Sequence, residues 1–225
     1  MPYLLKYIKK QIMKIEDAIF GRFHKRIEPM QKLMSFYKCA LMEVETKFKV
    51  LNEEFSFLHE RNPIDSIKTR IKSVDSIRKK LRQRHLTLSV NSVEKNLYDI
   101  AGIRIICPFI NDIYILADCL IGQDDITLFE KKDYIANPKK NGYRSLHLIV
   151  EIPIFLQNEK RYVKVEVQLR TIAMEFWANL EHRIRYKKDI DKKLANELAI
   201  ELTDCAEMSK MLDLKMQNIN KRIDK

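Results

Sequence analysis

Two segments of the chain alternate apolar side chains with side chains that can bind a nucleotide. Successive residues of a strand point to opposite faces of the sheet, so each segment has one polar face. In the segment 162–170 that face consists of Lys164, Glu166, Gln168 and Arg170. In the segment 142–150 it consists of Tyr143, Ser145 and His147. An aromatic ring, an imidazole, a carboxylate and cations favour a nucleotide site over a solvated surface.

A basic stretch upstream of these segments suits a polyphosphate. Residues 66–84 contain eight Lys or Arg and a single acid, and we predict one helix over them. Its candidate phosphate ligands are Arg70, Lys72, Ser76, Lys80 and Arg82. The middle three are spaced four residues apart and therefore share one helix face. A row of cations and a hydroxyl matches a chain of phosphates, although a solvated face is the alternative.

Two acids are candidates for holding a divalent metal. Asp99 precedes a strand predicted over 102–107, and Glu166 lies in mid-strand on a polar face. Mg²⁺ is typically held by one or two protein carboxylates together with waters and substrate phosphates. A cross-strand ion pair of Glu166, beside Lys164, is the alternative.

Arg104 and Tyr143 are candidates for contacting a base, whereas His147 alone would more often be a core histidine than a ligand. Arg104 points away from its apolar strand neighbours, and a guanidinium can stack on a base while it stays charged. Tyr143 follows Gly142 at a predicted strand start, where its ring could form a platform for a base or cover the core. His147 has no second histidine at metal-ligand spacing, so we exclude a zinc site.

Composition limits the class of protein. The chain has 225 residues, of which 46% are apolar, enough for one compact domain with helical extensions. Its net charge of +11 favours polyanionic partners, without choosing among nucleotides, RNA, DNA and membrane. Four cysteines show no metal-ligand spacing, and no apolar stretch approaches membrane-spanning length. We predict a cytoplasmic protein that does not bind membranes.

The elements that would position these residues predict an α+β fold, with a small mixed sheet of about five strands between long terminal helices. The N-terminal helical region should break at Gly21 and Pro29. A central helix should be capped by Asn111 or Asp112. Further helices should begin near Thr171 and from Asp189. We predict a helical region over 1–62, a catalytic core over 63–188 and a C-terminal helix over 189–225.

Four motifs together resemble the synthetase domain of the RelA/SpoT homologue family, and most closely the stand-alone small alarmone synthetases. They are the segments 98–104, 139–147, 165–171 and 174–187. Their order along the chain makes the resemblance far more specific than any one motif. We expect neither a hydrolase domain nor a regulatory region, because 225 residues leave room for neither.

The resemblance implies a magnesium-dependent pyrophosphokinase with a nucleotidyltransferase-like sheet. Such enzymes move the β,γ-pyrophosphate of ATP onto the ribose 3′-hydroxyl of GDP or GTP. They release AMP and make the alarmones ppGpp or pppGpp of the bacterial stringent response. Family members of this size are commonly homotetramers, and the terminal helices suit self-association.

The resemblance also implies roles on the donor side. Asp99 and Glu166 look like the Mg²⁺ ligands, with Glu166 also placed to help deprotonate the 3′-hydroxyl. Arg70 and Arg104 resemble the pair that sandwiches adenine. The positions that match contacts to the ATP phosphates are Lys72, Ser76 and Lys80, and Arg82 could help to neutralise charge there.

On the acceptor side, Tyr143 resembles the stacking platform for guanine. Lys139 and His147 match contacts to the acceptor phosphates, and Gln168 would support this site. Two alternatives stay open. The same fold could pyrophosphorylate the 3′ end of tRNA or an adenosine nucleotide, or the chain could be a non-catalytic RNA-binding module.

Overall fold

The computed structural model describes the backbone of residues 2–185 and 191–223, with side chains over 28–184, 191 and 194–223. In chain order the elements are α1 Pro2–His59, β1 Ser66–Ile71, α2 Val74–Gln83, α3 Val90–Asn96, β2 Ala101–Cys107, α4 Ile110–Ile121, β3 Thr127–Asp133, β4 Leu146–Phe155, β5 Lys160–Thr171, α5 Ile172–Arg185 and α6 Lys192–Ile223. Among the described helices none is long and apolar enough to cross a membrane.

The described strands form one five-stranded mixed sheet in the order β1-β2-β5-β4-β3. Only the central pair, β2 and β5, runs parallel, and the other neighbours are antiparallel. The short β4–β5 connection gives the hairpin that the alternating sequence predicts. The α+β prediction with about five strands is therefore confirmed.

One face of the sheet is covered by α1 and α4, and the core lies between these layers. The central strands contribute β-branched and leucine side chains from every second position, which suits a pleated buried surface. Fully buried members of this core include Val44, Phe48, Ile103, Ile105, Leu116, Leu120, Leu148, Val165, Val167 and Leu169. Burial of each such side chain contributes about 1.5–3 kcal/mol, which fixes the strand register.

The opposite face of the sheet carries the polar residues. One row across neighbouring strands contains Lys68, Arg104, Gln168, His147 and Lys132. The next row contains Arg70, Gly102, Glu166, Ile149 and Glu130. The polar faces of the two segments predicted separately therefore lie on the same side of one sheet.

The helix predicted over 66–84 is wrong in its first third. Residues 66–71 form β1, which pairs with β2, because Ile67, Thr69 and Ile71 also alternate with the period of a strand. The helix α2 begins only after Ser73, whose hydroxyl accepts a hydrogen bond from the Ser76 backbone. Arg70 and Lys72 therefore do not lie on a helix face with Ser76 and Lys80.

The predicted helix breaks at Gly21 and Pro29 are also wrong, because α1 continues through both. A proline removes one helical hydrogen bond, but the helix that follows it packs a long apolar face on the sheet. The predicted cap at Asn111 or Asp112 is wrong too. Phe109 occupies the cap position, and the Asn111 backbone N–H donates instead to Gln217 of α6 at 2.9 Å.

Of two further predicted boundaries, the strand start at Tyr143 is wrong and the helix start near Thr171 is confirmed. Tyr143 does not start a strand, because β4 begins at Leu146 and Tyr143 lies in the connection before it. The helix expected near Thr171 begins at Ile172. The final helix is described from Lys192, and residues 186–190, where its predicted start falls, lie outside the described part of the chain.

Candidate active site

Asp99 lies directly before β2 and receives two lysine side chains. The Nζ atoms of Lys72, after β1, and Lys80, on α2, each lie 2.5 Å from Asp99 Oδ2. Burial would raise the pKa of Asp99, but the hydrogen bonds and charges of the two lysines lower it to about 2. The other oxygen, Oδ1, is buried without a hydrogen-bond partner. Lys72 and Lys80 therefore meet at a carboxylate, and the predicted row along one helix face is wrong.

Glu166 lies in mid-strand on β5 and is held by a histidine. His147 Nδ1 lies 3.4 Å from Glu166 Oε1, and His147 Nε2 lies 2.8 Å from the Tyr143 hydroxyl. Burial would raise the pKa of Glu166, but hydrogen bonds from His147 and Gln168 outweigh it and lower the pKa. Burial, together with the charges of Arg170 and Lys139, lowers the pKa of His147 despite the opposing effect of Glu166. The imidazole is therefore neutral at pH 7.

A directional hydrogen-bond chain follows from a neutral His147. Arg170 Nη2 donates to the Tyr143 hydroxyl at 2.5 Å. The hydroxyl then donates to His147 Nε2, and the Nδ1–H of the imidazole points at Glu166. This chain fixes the tautomer of the histidine and keeps Glu166 ionised.

A polar cleft runs between β1, β2 and β5. Its lining residues are Lys68, Thr69, Arg70, Gly102, Ile103, Arg104, Glu166 and Gln168. Arg70 reaches across the middle strand, with its Nη2 3.8 Å from Glu166 Oε2. The residue between them is Gly102, and a Cβ there would meet the Arg70 side chain at 3.4 Å. The absent side chain leaves the cleft open between the arginine and the carboxylate.

Aromatic rings close the other side of Glu166. Tyr134 makes edge-on contacts with Tyr143 and His147, with ring centroids 6.0 and 5.4 Å apart. The Lys139 ammonium lies 4.5 Å from the Tyr134 ring centroid and 4.8 Å from that of Tyr143. Lys139, Tyr143 and His147 are thus brought together, as their proposed common role requires.

Two predicted site residues occupy more peripheral positions. The Ser76 hydroxyl lies 2.9 Å from the Ser73 hydroxyl at the start of α2, where both belong to the helix cap. Arg82 is exposed in the last turn of α2. The structure therefore groups Lys72 and Lys80 at Asp99, while Ser76 and Arg82 are both exposed.

Comparison with known proteins now decides the family. A family model described as a region found in RelA / SpoT proteins matches residues 69–191. GTP pyrophosphokinase YwaC of Bacillus subtilis (strain 168) is 44% identical over 200 residues, which cover 88% of this chain and 93% of that protein. The chain belongs to the RelA/SpoT family. The resemblance that the four sequence motifs indicate is confirmed.

Solved structures within the family share the fold. Small alarmone synthetase 2 from Bacillus subtilis superposes with a TM-score of 0.76 at 44% identity, covering 86% of this chain and 98% of that one. Small alarmone synthetase 1 from the same organism, solved with its product pppGpp, gives a TM-score of 0.77 at 32% identity, covering 88% and 100%. Similarity therefore extends over the terminal helices as well as the matched domain.

The carboxylates of this RelA/SpoT chain fit a magnesium ion that shares its coordination with a substrate. The described residues contain no cluster of three or more His, Cys, Asp or Glu that could hold a metal alone. Mg²⁺ usually keeps several waters and binds through one or two carboxylates plus phosphates. The buried, unpartnered Asp99 Oδ1 and the ionised Glu166 supply that donor set.

The sequence prediction did not include Glu175 among the site residues. Its carboxylate lies 2.9 Å from Arg104 Nη1 and 3.1 Å from Lys68 Nζ. A signal was present, because an arginine in an apolar strand requires a partner, and Glu175 is the acid in the first turn of the helix that follows β5. The sequence alone could not bring that turn to β2, because the contact joins residues 71 positions apart.

Proposed function

We propose that this chain is a (p)ppGpp synthetase. It would transfer the β,γ-pyrophosphate of ATP to the ribose 3′-hydroxyl of GDP or GTP and release AMP. The observation that carries the proposal is the cleft on the polar sheet face, in which Arg70 and Arg104 lie beside Glu166. The charge of Asp99, which Lys72 and Lys80 contact, also acts on Glu166. The extended similarity to a GTP pyrophosphokinase and to a synthetase solved with pppGpp supports the same reaction.

The donor nucleotide would bind along β1, β2 and α2. Arg70 and Arg104 line the cleft from neighbouring strands and would hold the adenine between their guanidinium groups. Lys72 and Lys80 would turn from Asp99 towards the phosphates of ATP. Ser76 and Arg82 would contact the outer part of the triphosphate. Pyrophosphoryl transfer needs positioning and charge neutralisation more than covalent chemistry, and cations in these positions provide both.

Asp99 and Glu166 would hold the Mg²⁺ ion. The ion would neutralise charge on the transferred phosphates, as divalent metals do in phosphoryl transfer generally. Glu166 is ionised at neutral pH, so it could also accept the proton of the 3′-hydroxyl. The His147 Nδ1–H would orient that carboxylate.

The acceptor would bind on the β4 side of Glu166. Tyr143 would stack on guanine, with Lys139 and His147 towards the acceptor phosphates. Gln168 would support this side, because its amide oxygen accepts from Arg170 at 3.1 Å and its side chain hydrogen-bonds Glu166. Part of the acceptor site is thereby fixed before any nucleotide arrives.

Three wider features belong to the same proposal. The catalytic core would comprise residues 63–188 between helical regions at 1–62 and 189–225. The enzyme would act in the cytoplasm, as a homotetramer. Exposed apolar side chains on α5 and α6 support self-association, among them Phe176, Met208, Leu212 and Met216.

The proposal is tested by offering several acceptors in parallel. The protein is incubated with Mg²⁺ and radiolabelled ATP against GDP, GTP, unlabelled ATP or tRNA, and the products are separated by chromatography. We expect label to move to GDP and GTP. Transfer to tRNA, which the net charge of +11 would suit, or to an adenosine nucleotide would support the altered-acceptor alternative. Binding of RNA without release of AMP would support the non-catalytic alternative.

A further inference from the structure

Glu175 is a buried carboxylate at the junction of three strands and a helix. It lies in the first turn of α5, and its residue is only 6% exposed. Its Oε1 accepts from Lys68 Nζ at 3.1 Å, Arg104 Nη1 at 2.9 Å and Asn179 Nδ2 at 3.1 Å. Its Oε2 accepts from Arg170 Nη1 at 2.9 Å. Both oxygens are therefore occupied by donors from β1, β2, β5 and α5.

The two arginines held by this carboxylate lead to opposite sides of β5, one towards β2 and the other towards β4. Arg104 lines the donor side beside Arg70. Arg170 continues to the acceptor side, because its Nη2 donates to the Tyr143 hydroxyl and to Gln168. Tyr143 in turn contacts His147, which faces Glu166. The Glu175 side chain thus links the orientation of Arg104 to that of Tyr143.

An anchor of this kind changes binding affinity more than chemistry. An arginine side chain has several rotatable bonds, and ordering a free one on binding costs conformational entropy. When a buried carboxylate already holds the guanidinium, this entropy is lost during folding and not on binding. Loss of the anchor would weaken ground state and transition state alike, which raises KM with little change in kcat.

We propose that Glu175 is a positioning residue that sets Arg104 for the donor nucleotide and, through Arg170, sets Tyr143 for the acceptor. The inference rests on the proposed function, since it assigns the two sides of β5 to ATP and to GDP or GTP. It goes beyond that function in naming one carboxylate that coordinates the two subsites without touching either nucleotide.

The test is Glu175→Gln, with affinity measured by calorimetry for GDP and for a non-transferable ATP analogue, together with steady-state kinetics. We expect Kd and KM for both nucleotides to rise by about fivefold or more, with kcat within about twofold of wild type. Glu175→Asp is the second variant, because it keeps the charge but is one methylene too short to hold both arginines. It should weaken binding of at least one nucleotide.

Asp112→Asn is the matched control. Asp112 is another buried carboxylate, 1% exposed, and it pairs with Arg61 at 2.8 Å on the opposite side of the sheet. The Asp112→Asn substitution should lower Tm without changing the Kd for GDP or for the ATP analogue. A fall in Tm for Glu175→Gln with both Kd values unchanged would overturn the inference, as would wild-type binding by Glu175→Asp. If the wild-type protein binds neither nucleotide, both the proposed function and this inference are wrong.

Discussion

The carboxylates of the candidate site have different kinds of partner. Asp99 lies between two ammonium groups, whereas Glu166 faces an uncharged imidazole and an amide, with the Arg70 guanidinium farther away at 3.8 Å. Asp99 would therefore bind a metal only when its lysines find another partner, such as the phosphates of ATP. Glu166 meets no such competition from lysine and is available as a ligand or a base.

Glu166→Gln tests the residue to which we assign the largest catalytic role. The amide is isosteric, so the fold should persist, but it loses the charge that would hold Mg²⁺ and accept a proton. We expect kcat to fall by at least about 10²-fold, the scale for removing a key electrostatic group. Circular dichroism checks folding and AMP release checks turnover. Near-normal synthesis by this variant would contradict the assignment.

Glu175 also has a signature in stability against pH. Burial would raise its pKa, but Arg104, Asn179 and Lys68 lower it from 4.5 to about 2. A lowered carboxyl pKa stabilises the fold fully above about pH 4.5, and this contribution is lost as the pH falls through about 2. Glu175→Gln should cost roughly 3 kcal/mol of unfolding free energy at pH 7 and less than half of that at pH 3.

Urea unfolding at pH 7, 5 and 3 in the presence of EDTA measures that difference. Wild type and Glu175→Gln are compared at each pH, with Asp112→Asn beside them. A stability deficit for Glu175→Gln that stayed constant from pH 7 to pH 3 would show that the charge of Glu175 does not stabilise the fold.

At the level of single residues, the sequence predicted which side chains share a sheet face. It predicted less well which side chains contact each other. A strand period of two places Glu166 and Gln168 on one face without any knowledge of the fold. It could not place His147 beside Glu166, because that contact depends on the β4–β5 register. The same limit applies to Glu175, whose partners come from three separate strands.

At the level of elements, β1 shows why a local pattern can mislead. Its isoleucines fit both a strand and the start of an amphipathic helix, and the helical reading joined them to Ile77 and Leu81 of α2. Pairing with β2 decides between the two, and this pairing is a non-local interaction. The central strands and α5 were easier to predict, because their periodicity had no competing interpretation.

The loop before β4 positions Tyr143 against the C-terminal helix. Gly142 has a φ of +83°, and a Cβ on it would lie 2.4 Å from the Ala206 Cβ. Tyr143 packs beside Trp177 and Ala206, and Trp177 donates to the Leu202 carbonyl at 2.8 Å. The proposed acceptor platform therefore depends on α5 and α6 as well as on the sheet.

Gly142→Ala should disturb this platform. A side chain at positive φ costs about 1–2 kcal/mol, and the clash with Ala206 adds to it. We expect a lower free energy of unfolding and a higher KM for GDP, with the KM for ATP less affected. Urea unfolding and steady-state kinetics measure the two effects.

Ala206→Gly supplies the control for that prediction. In the Gly142→Ala background it removes the clash and leaves only the backbone strain, so part of the stability and of the GDP affinity should return. The coupling energy comes from a double-mutant cycle. Strict additivity of the two substitutions would contradict the close approach of the loop to α6.

At the level of the whole molecule, one face of the sheet forms the stabilising core and the other carries the residues of the candidate site. Helices α1 and α4 bury one face, and the other face leaves its polar rows available to substrates. The terminal helices extend well beyond the sheet and carry exposed apolar side chains. The excess of basic residues over the chain as a whole would attract nucleotide polyphosphates.

The proposed tetramer is tested by light scattering coupled to size-exclusion chromatography. We expect a mass four times that of the 26.8-kDa chain. Met208→Glu, at a residue 71% exposed on α6, should lower that mass because it places charge on an apolar surface. Phe155→Glu, at a residue 74% exposed on the β4–β5 hairpin, is the control and should leave it unchanged. A wild-type mass of one chain would contradict the tetramer.

The most direct test of the central claim is the fate of ATP phosphates when the protein meets ATP, GDP and Mg²⁺. Products are separated by anion-exchange chromatography, with reactions lacking protein and with Glu166→Gln as controls. Pyrophosphate transfer predicts AMP and a guanosine tetraphosphate in equal amounts, with the β- and γ-phosphorus of ATP both in the guanosine product. Release of ADP in place of AMP, or AMP without a new guanosine nucleotide, would contradict the proposed reaction.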